Sequence, residues 1–139
     1  MVHALRECHR VLKPNGILID LRPMAVHRRV GIARGDDWNY VAAMSEPFDD
    51  DRAANRAVAQ VMREGLFWRE QETTFELARH IATLDDFRMW LDEFTKLGGF
   101  VEKPSLFKRV AREFTAESEK GGAEIVVWGP LRLAVLRKD

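Results

Sequence analysis

Arg22, His27, Trp38 and Tyr40 follow one another in the first third of the chain. A guanidinium, an imidazole, an indole and a phenol offer charge, proton transfer and two flat apolar surfaces. They come after the apolar run Ile17-Leu18-Ile19, and open α/β sheets place ligands beyond the carboxyl ends of their strands. The plainer reading is a surface loop whose aromatics tuck onto the domain or a partner chain. Arg79-His80 is a second candidate, with His80 as a base near neutral pH if a substrate lies alongside. No second catalytic group can be placed beside His80 by spacing. A structural or exposed histidine is the simpler account.

Metal chemistry finds little support. His3, Cys8 and His9 are five and one residues apart, so they do not share a helix face as ligands at i, i+3 or i+4 would. Asp49-Asp50-Asp51 lack the interleaved oxygen ligands of a calcium loop, and helix capping explains them better. Arg28-Arg29 with Arg34 could hold a phosphate, but a solvated basic loop suits a neutral protein better. No metal site is expected.

The elements that must position these groups belong to one expected domain, residues 1–139. Hydrophobic residues make up 46% of the chain, enough for a core, and 32% are charged. Lys+Arg and Asp+Glu are both 22, a net charge of zero that argues against nucleic-acid binding and for easy self-association. Cys8 is the only cysteine, which rules out a disulfide framework and a cysteine-based zinc site. With no apolar run near the roughly 20 residues of a membrane span and no signal-peptide pattern, a cytoplasmic setting is expected.

Residues 5–20 organise the chain. Val2, Leu5, His9 and Leu12 recur at helical spacing, Pro14 stops the helix, and Asn15-Gly16 reverse direction. Ile17-Leu18-Ile19 then reads as a strand covered on both faces. Residues 24–50 read as an irregular loop, with a short strand possible in Val26–Ala33 and a helical turn in Tyr40–Met44. A helix is expected from Asp51 to about Gly65, with Ala54, Val58, Val61 and Met62 as its stripe. A half-exposed strand is expected over Gln71–Ala82, since Phe75, Leu77, Arg79 and Ile81 share one parity.

Thr83 should cap a helix striped by Phe87, Trp90, Leu91, Phe94 and Leu97, ended by Gly98-Gly99. Phe100-Val101 suggests a short strand, and Pro104 opens a helix carrying Phe107, Val110, Ala111 and Phe114. Glu124–Lys138 is one long strand with a bulge at Gly129-Pro130 or a two-strand hairpin; the bulged strand is preferred.

Arg10-Val11-Leu12-Lys13-Pro14, the Asn-Gly turn and a hydrophobic strand ending in Asp20 resemble the fourth helix and fifth strand of class I S-adenosylmethionine-dependent methyltransferases. The later elements, down to the ending Leu-Ala-Val-Leu-Arg-Lys, look like the rest of that family's C-terminal half. The resemblance implies a partial Rossmann-like α/β fold with a mixed sheet of three or slightly more strands, flanking helices and an antiparallel last strand. In the family, the loop after the fifth strand faces the acceptor, which would put a small-molecule substrate near residues 22–40. The family's cofactor half, with its glycine-rich turn, has no counterpart here: Gly31 and Gly35 are too far apart, and Gly98-Gly99 follow a helix. The chain alone is therefore expected to hold no S-adenosylmethionine unless the missing half is supplied, and to have no catalytic or cofactor-binding residue of its own.

A strand lacking its usual neighbour presents an apolar edge. A twofold homodimer pairing through Ile17–Ile19 is the expected cover.

Overall fold

A computed structural model describes residues 1–96, 98 and 103–139. Its first helix, α1 (Val2–Val11), buries Leu5, and the extended Leu12 donates its N–H to the Cys8 carbonyl. Pro14 then prevents another turn. The Lys13–Gly16 turn closes through Gly16 N–H to Lys13 O at 2.9 Å, with Asn15 at φ 61. A Cβ on Gly16 would stand 2.8 Å from the Lys13 carbonyl oxygen, so the turn needs glycine there.

Strand β1 (Ile17–Pro23) is covered on one face only, which corrects the expectation of two. Leu18 packs inward, while Ile17, Ile19 and Leu21 are 46–60% exposed. An apolar run says what a strand could bury. Coverage also needs an element on each side, and the buried residues of α1 and of the second helix meet β1 through the inward face alone.

Residues 24–50 are more regular than expected. Strands β2 (Arg29–Arg34) and β3 (Asp37–Ala43) form an antiparallel hairpin about Gly35, whose φ is 60. The short strand within Val26–Ala33 is thus present, and the helical turn at Tyr40–Met44 is replaced by strand. Val30 and Ile32 in β2, and Ala42 with Met44 at the end of β3, are buried at alternate positions, a period of two that only two residues of each segment carry.

Helix α2 (Asp49–Arg63) starts two residues before its expected first residue, with Asp49, Asp50 and Asp51 in the first turn, where the dipole favours them. It buries Ala57, Val58 and Val61. Strand β4 (Phe67–Ile81) begins four residues earlier than expected and buries only its end residues. Thr83 caps helix α3 (Leu84–Lys96): its hydroxyl oxygen accepts the Asp86 N–H at 3.1 Å and donates to the Asp86 carboxylate at 2.6 Å. Phe87, Trp90 and Phe94 stack in sequence along α3, and Phe107 of helix α4 (Lys103–Ser118) stacks on Phe87. Gly98 takes φ 79 just past α3, whereas Leu97, Gly99 and the expected strand at Phe100-Val101 lie outside the described residues.

Strand β5 (Ala123–Lys138) is one strand, not a hairpin. Residues 123–128 pair with β2, and residues 131–137 pair with β1. Gly129-Pro130 falls between these two ladders, where proline's missing donor breaks no pair with β1 or β2, and the Pro130 carbonyl accepts the Met24 N–H at 3.0 Å. The sheet has five antiparallel strands in the order β1-β5-β2-β3, with β4 also paired to β5. The expected sheet of three or slightly more strands was mixed, and the observed one corrects that to antiparallel. The unforeseen hairpin adds strands, and the ladders of β1, β2, β3 and β5 are all antiparallel. The last strand does run antiparallel.

The chain divides into two compact units. The first comprises Met1–Ala25, Phe48–Phe75 and Pro130–Asp139. Its core is Leu5, Ala57, Val58, Val61, Phe67, Ala134 and Leu136. The second comprises Val26–Pro47 and Glu76–Gly129, built around Val30, Ile32, Met44, Phe87, Leu91, Leu106, Val110, Ile125 and Val127. Among the described residues, no helix is long and apolar enough to cross a membrane.

Candidate functional site

The six candidate residues are divided between the two units. Arg22 belongs to the first unit, and His27, Trp38, Tyr40, Arg79 and His80 belong to the second.

Arg22 lies on the inward face of β1, where Leu18, Asp20 and Arg22 alternate with the exposed apolar residues. Its guanidinium grips Asp20 through two bonds of 2.6 and 2.7 Å and donates to the Asn55 side-chain oxygen at 3.1 Å. Asn55 is on α2, one turn before Val58, so the helix covers the apolar end of this face with Val58 and Val61 and its polar end with Asn55. Arg132, directly opposite Arg22 in the ladder, also donates to the Asn55 oxygen. The cluster is polar and half-buried.

In the second unit, His27 is exposed and its Nδ1 accepts the Glu46 N–H at 3.2 Å. Glu46 is chiefly Arg28's partner: its carboxylate accepts the Arg28 N–H at 2.8 Å and pairs with the guanidinium. Arg28 in turn lies over the Phe94 ring, 4.8 Å from its centroid. These contacts fasten the segment before β2, and they occupy the groups that a ligand would need.

Trp38 and Tyr40 sit at same-parity positions of β3, opposite Ala33 and Gly31, and both are about half exposed. Trp38 meets Trp128 of β5 with centroids 4.6 Å apart. A Cβ on Gly31 would stand 3.0 Å from the Trp128 ring and 2.4 Å from the Asn39 carbonyl oxygen, so glycine is what admits this packing. On the helix side of the hairpin, Arg34, Asp37, Asn39, Glu117 and Lys120 line an open recess of about 280 Å³ with Trp38 at its edge. The hydrogen bond from the Lys120 ammonium holds the Glu117 carboxyl below its ordinary range, against the opposing effect of desolvation.

His80 is exposed, with Nδ1 2.8 Å from Glu124. Arg79, on the other parity of β4, is exposed and makes no ion pair among the described residues. A carboxylate beside His80 could orient the ring, but no nucleophile or oxyanion donor stands near the pair in the described contacts. No group of three or more metal-ligating side chains occurs among the described residues.

Asn55, Arg132, Trp128 and Glu124 escaped the reading of the sequence. Each meets its partner through a strand ladder or from a helix far away in the chain, and local spacing carries no sign of that. No family model, no curated protein and no solved structure matches this chain.

Proposed function

We propose that the chain is a methyltransferase-like C-terminal half, related to class I S-adenosylmethionine-dependent enzymes, that performs no methyl transfer by itself. The observation that carries this reading is the pairing of β5 with both β1 and β4, after the order β1, α2, β4. In the family that the resemblance names, the last strand runs antiparallel between the fifth and sixth strands, to which β1 and β4 would correspond. The cofactor does not fit the residues present. Helices follow β3 and β4 through residues 44–48 and 82–83, and neither connection contains a glycine to let a backbone approach a nucleotide. Methyl transfer would need the cofactor half from elsewhere, with a small acceptor near residues 22–40 and a cytoplasmic setting.

A second reading, a non-catalytic homodimerising domain, is favoured by one observation. β1 is paired with β5 alone among the described strands and exposes Ile17, Ile19 and Leu21. An apolar strand with one edge left open is a template for another chain, and a second copy through Ile17–Ile19 is the simplest cover.

Two measurements test the pair of readings. Titration calorimetry with S-adenosylmethionine should give no binding heat; saturable binding would overturn the inactive assignment. Light scattering after size-exclusion chromatography should give a dimer mass, and a monomer at micromolar concentration would overturn the homodimer.

A further inference from the structure

We propose that Arg22 and Arg132 form a binding site for a small oxyanion, the phosphate or carboxylate group of a ligand. The site lies on the helix-covered face of the first unit's sheet.

Arg22 and Arg132 are direct antiparallel partners, so their side chains leave the sheet on the same face about 5 Å apart at Cβ. Like charges placed so repel each other, and something must offset them. Asp20 neutralises one guanidinium with its two bonds to Arg22. The other acceptor is the Asn55 amide oxygen, which both arginines share and which carries no charge. Two cations and one carboxylate leave one positive charge without a partner.

That charge stands out against the other arginines. Arg52, Arg56, Arg63, Arg79, Arg88 and Arg109 also lack a carboxylate within 4 Å among the described residues, but all are exposed, where water screens them. Arg132 is partly buried. Asp51, one turn before Asn55 on α2, is half-buried on the same helix face and forms no ion pair with either guanidinium. It is the natural competitor for an incoming anion.

The donors are available as well as charged. Each guanidinium has five N–H groups. Arg22 uses three on Asp20 and Asn55, and Arg132 uses one on Asn55. Nε and Nη1 of Arg132 make no hydrogen bond among the described residues, and no side-chain nitrogen there is both buried and without a partner, so these two donors reach solvent. Paired guanidinium forks match the oxygen spacing of carboxylates and phosphates. This inference stands apart from the methyltransferase reading.

The test is titration calorimetry of the full chain with inorganic phosphate and with acetate, at constant ionic strength set by chloride. Saturable binding of either anion is expected, and the tighter one identifies the group. The Arg132→Gln variant should bind at least about tenfold more weakly. Asn55→Asp keeps the side-chain shape and supplies the missing carboxylate. It should abolish anion binding while the chain stays folded, whether or not Arg132→Gln folds. Asp51→Asn, by removing the competitor, should tighten binding. Absence of binding by both anions in the unaltered chain, or undiminished binding in Asn55→Asp, would overturn the site.

Discussion

The two units finish the outward faces of their strands by different means. In the second unit, Trp38 packs on Trp128, Arg29 pairs with Glu76, and His80 meets Glu124, so several outward side chains partner one another, while Tyr40 and Leu77 stay exposed. In the first unit, Ile17, Ile19 and Leu21 stand bare on β1, opposite Arg137, Val135 and Leu133 of β5. Arg137 with Glu70 closes one end of that face, and the Arg137 pKa is raised by its hydrogen bond to Glu70. Ring stacking and charge pairs let a face meet water. A row of aliphatics has no such pairing of its own, and the proposed homodimer would cover it.

Deleting the centre of the aromatic stack should have the largest effect. Phe87 is fully buried between Trp90 and Phe107, so Phe87→Ala should cost about 3–5 kcal/mol in urea denaturation. A loss under 1 kcal/mol would mean that the second unit does not depend on this stack, and the contrast between aromatic and aliphatic units would lose its basis. A smaller effect should separate the two outward faces. Ile19→Lys should weaken self-association at least about tenfold, or about 1.4 kcal/mol, in light scattering across a dilution series. Tyr40→Lys, an equally exposed position in the second unit, should leave the mass unchanged. If both variants dissociate the assembly, or neither does, the bare face of β1 is not the associating surface.

Local signals were legible where one turn of chain carries them. Thr83 and Asp86 announced the start of α3, Pro14 the end of α1, and Phe87, Trp90 and Phe94 the buried stripe. The hairpin at residues 29–43 was hidden because only Val30 and Ile32 in β2, and Ala42 in β3, mark its buried face, too short a run to set a period between the polar ends at Arg29, Arg34 and Asp37. The partners of Arg22 were hidden for a different reason. Asn55 and Arg132 lie 33 and 110 residues further along, and only the register of β1 against β5 and the docking of α2 bring them together. The roles of Trp38 and His80 had the same dependence, on Trp128 and Glu124 of β5.

The smallest expected effect tests whether surface charge distinguishes the units at all. Glu64 in the first is held below the usual carboxylate value of 4.5 by its hydrogen bond from Arg6, and Glu117 in the second by that from Lys120. A depressed carboxyl binds its proton more weakly folded than unfolded, so each pair stabilises above the unfolded value. That contribution falls away as pH drops below about 4.5, through the folded value. Both pairs face solvent, so the acid-side loss should be slight and should shrink as salt is raised. Chemical denaturation between pH 3 and pH 6 should therefore show a shallow decline, flattened partly by Lys120→Met and partly by Arg6→Met. A decline removed wholly by one of these variants would locate the acid sensitivity in a single unit, and would make the electrostatic contrast between them as real as the contrast between their outward faces.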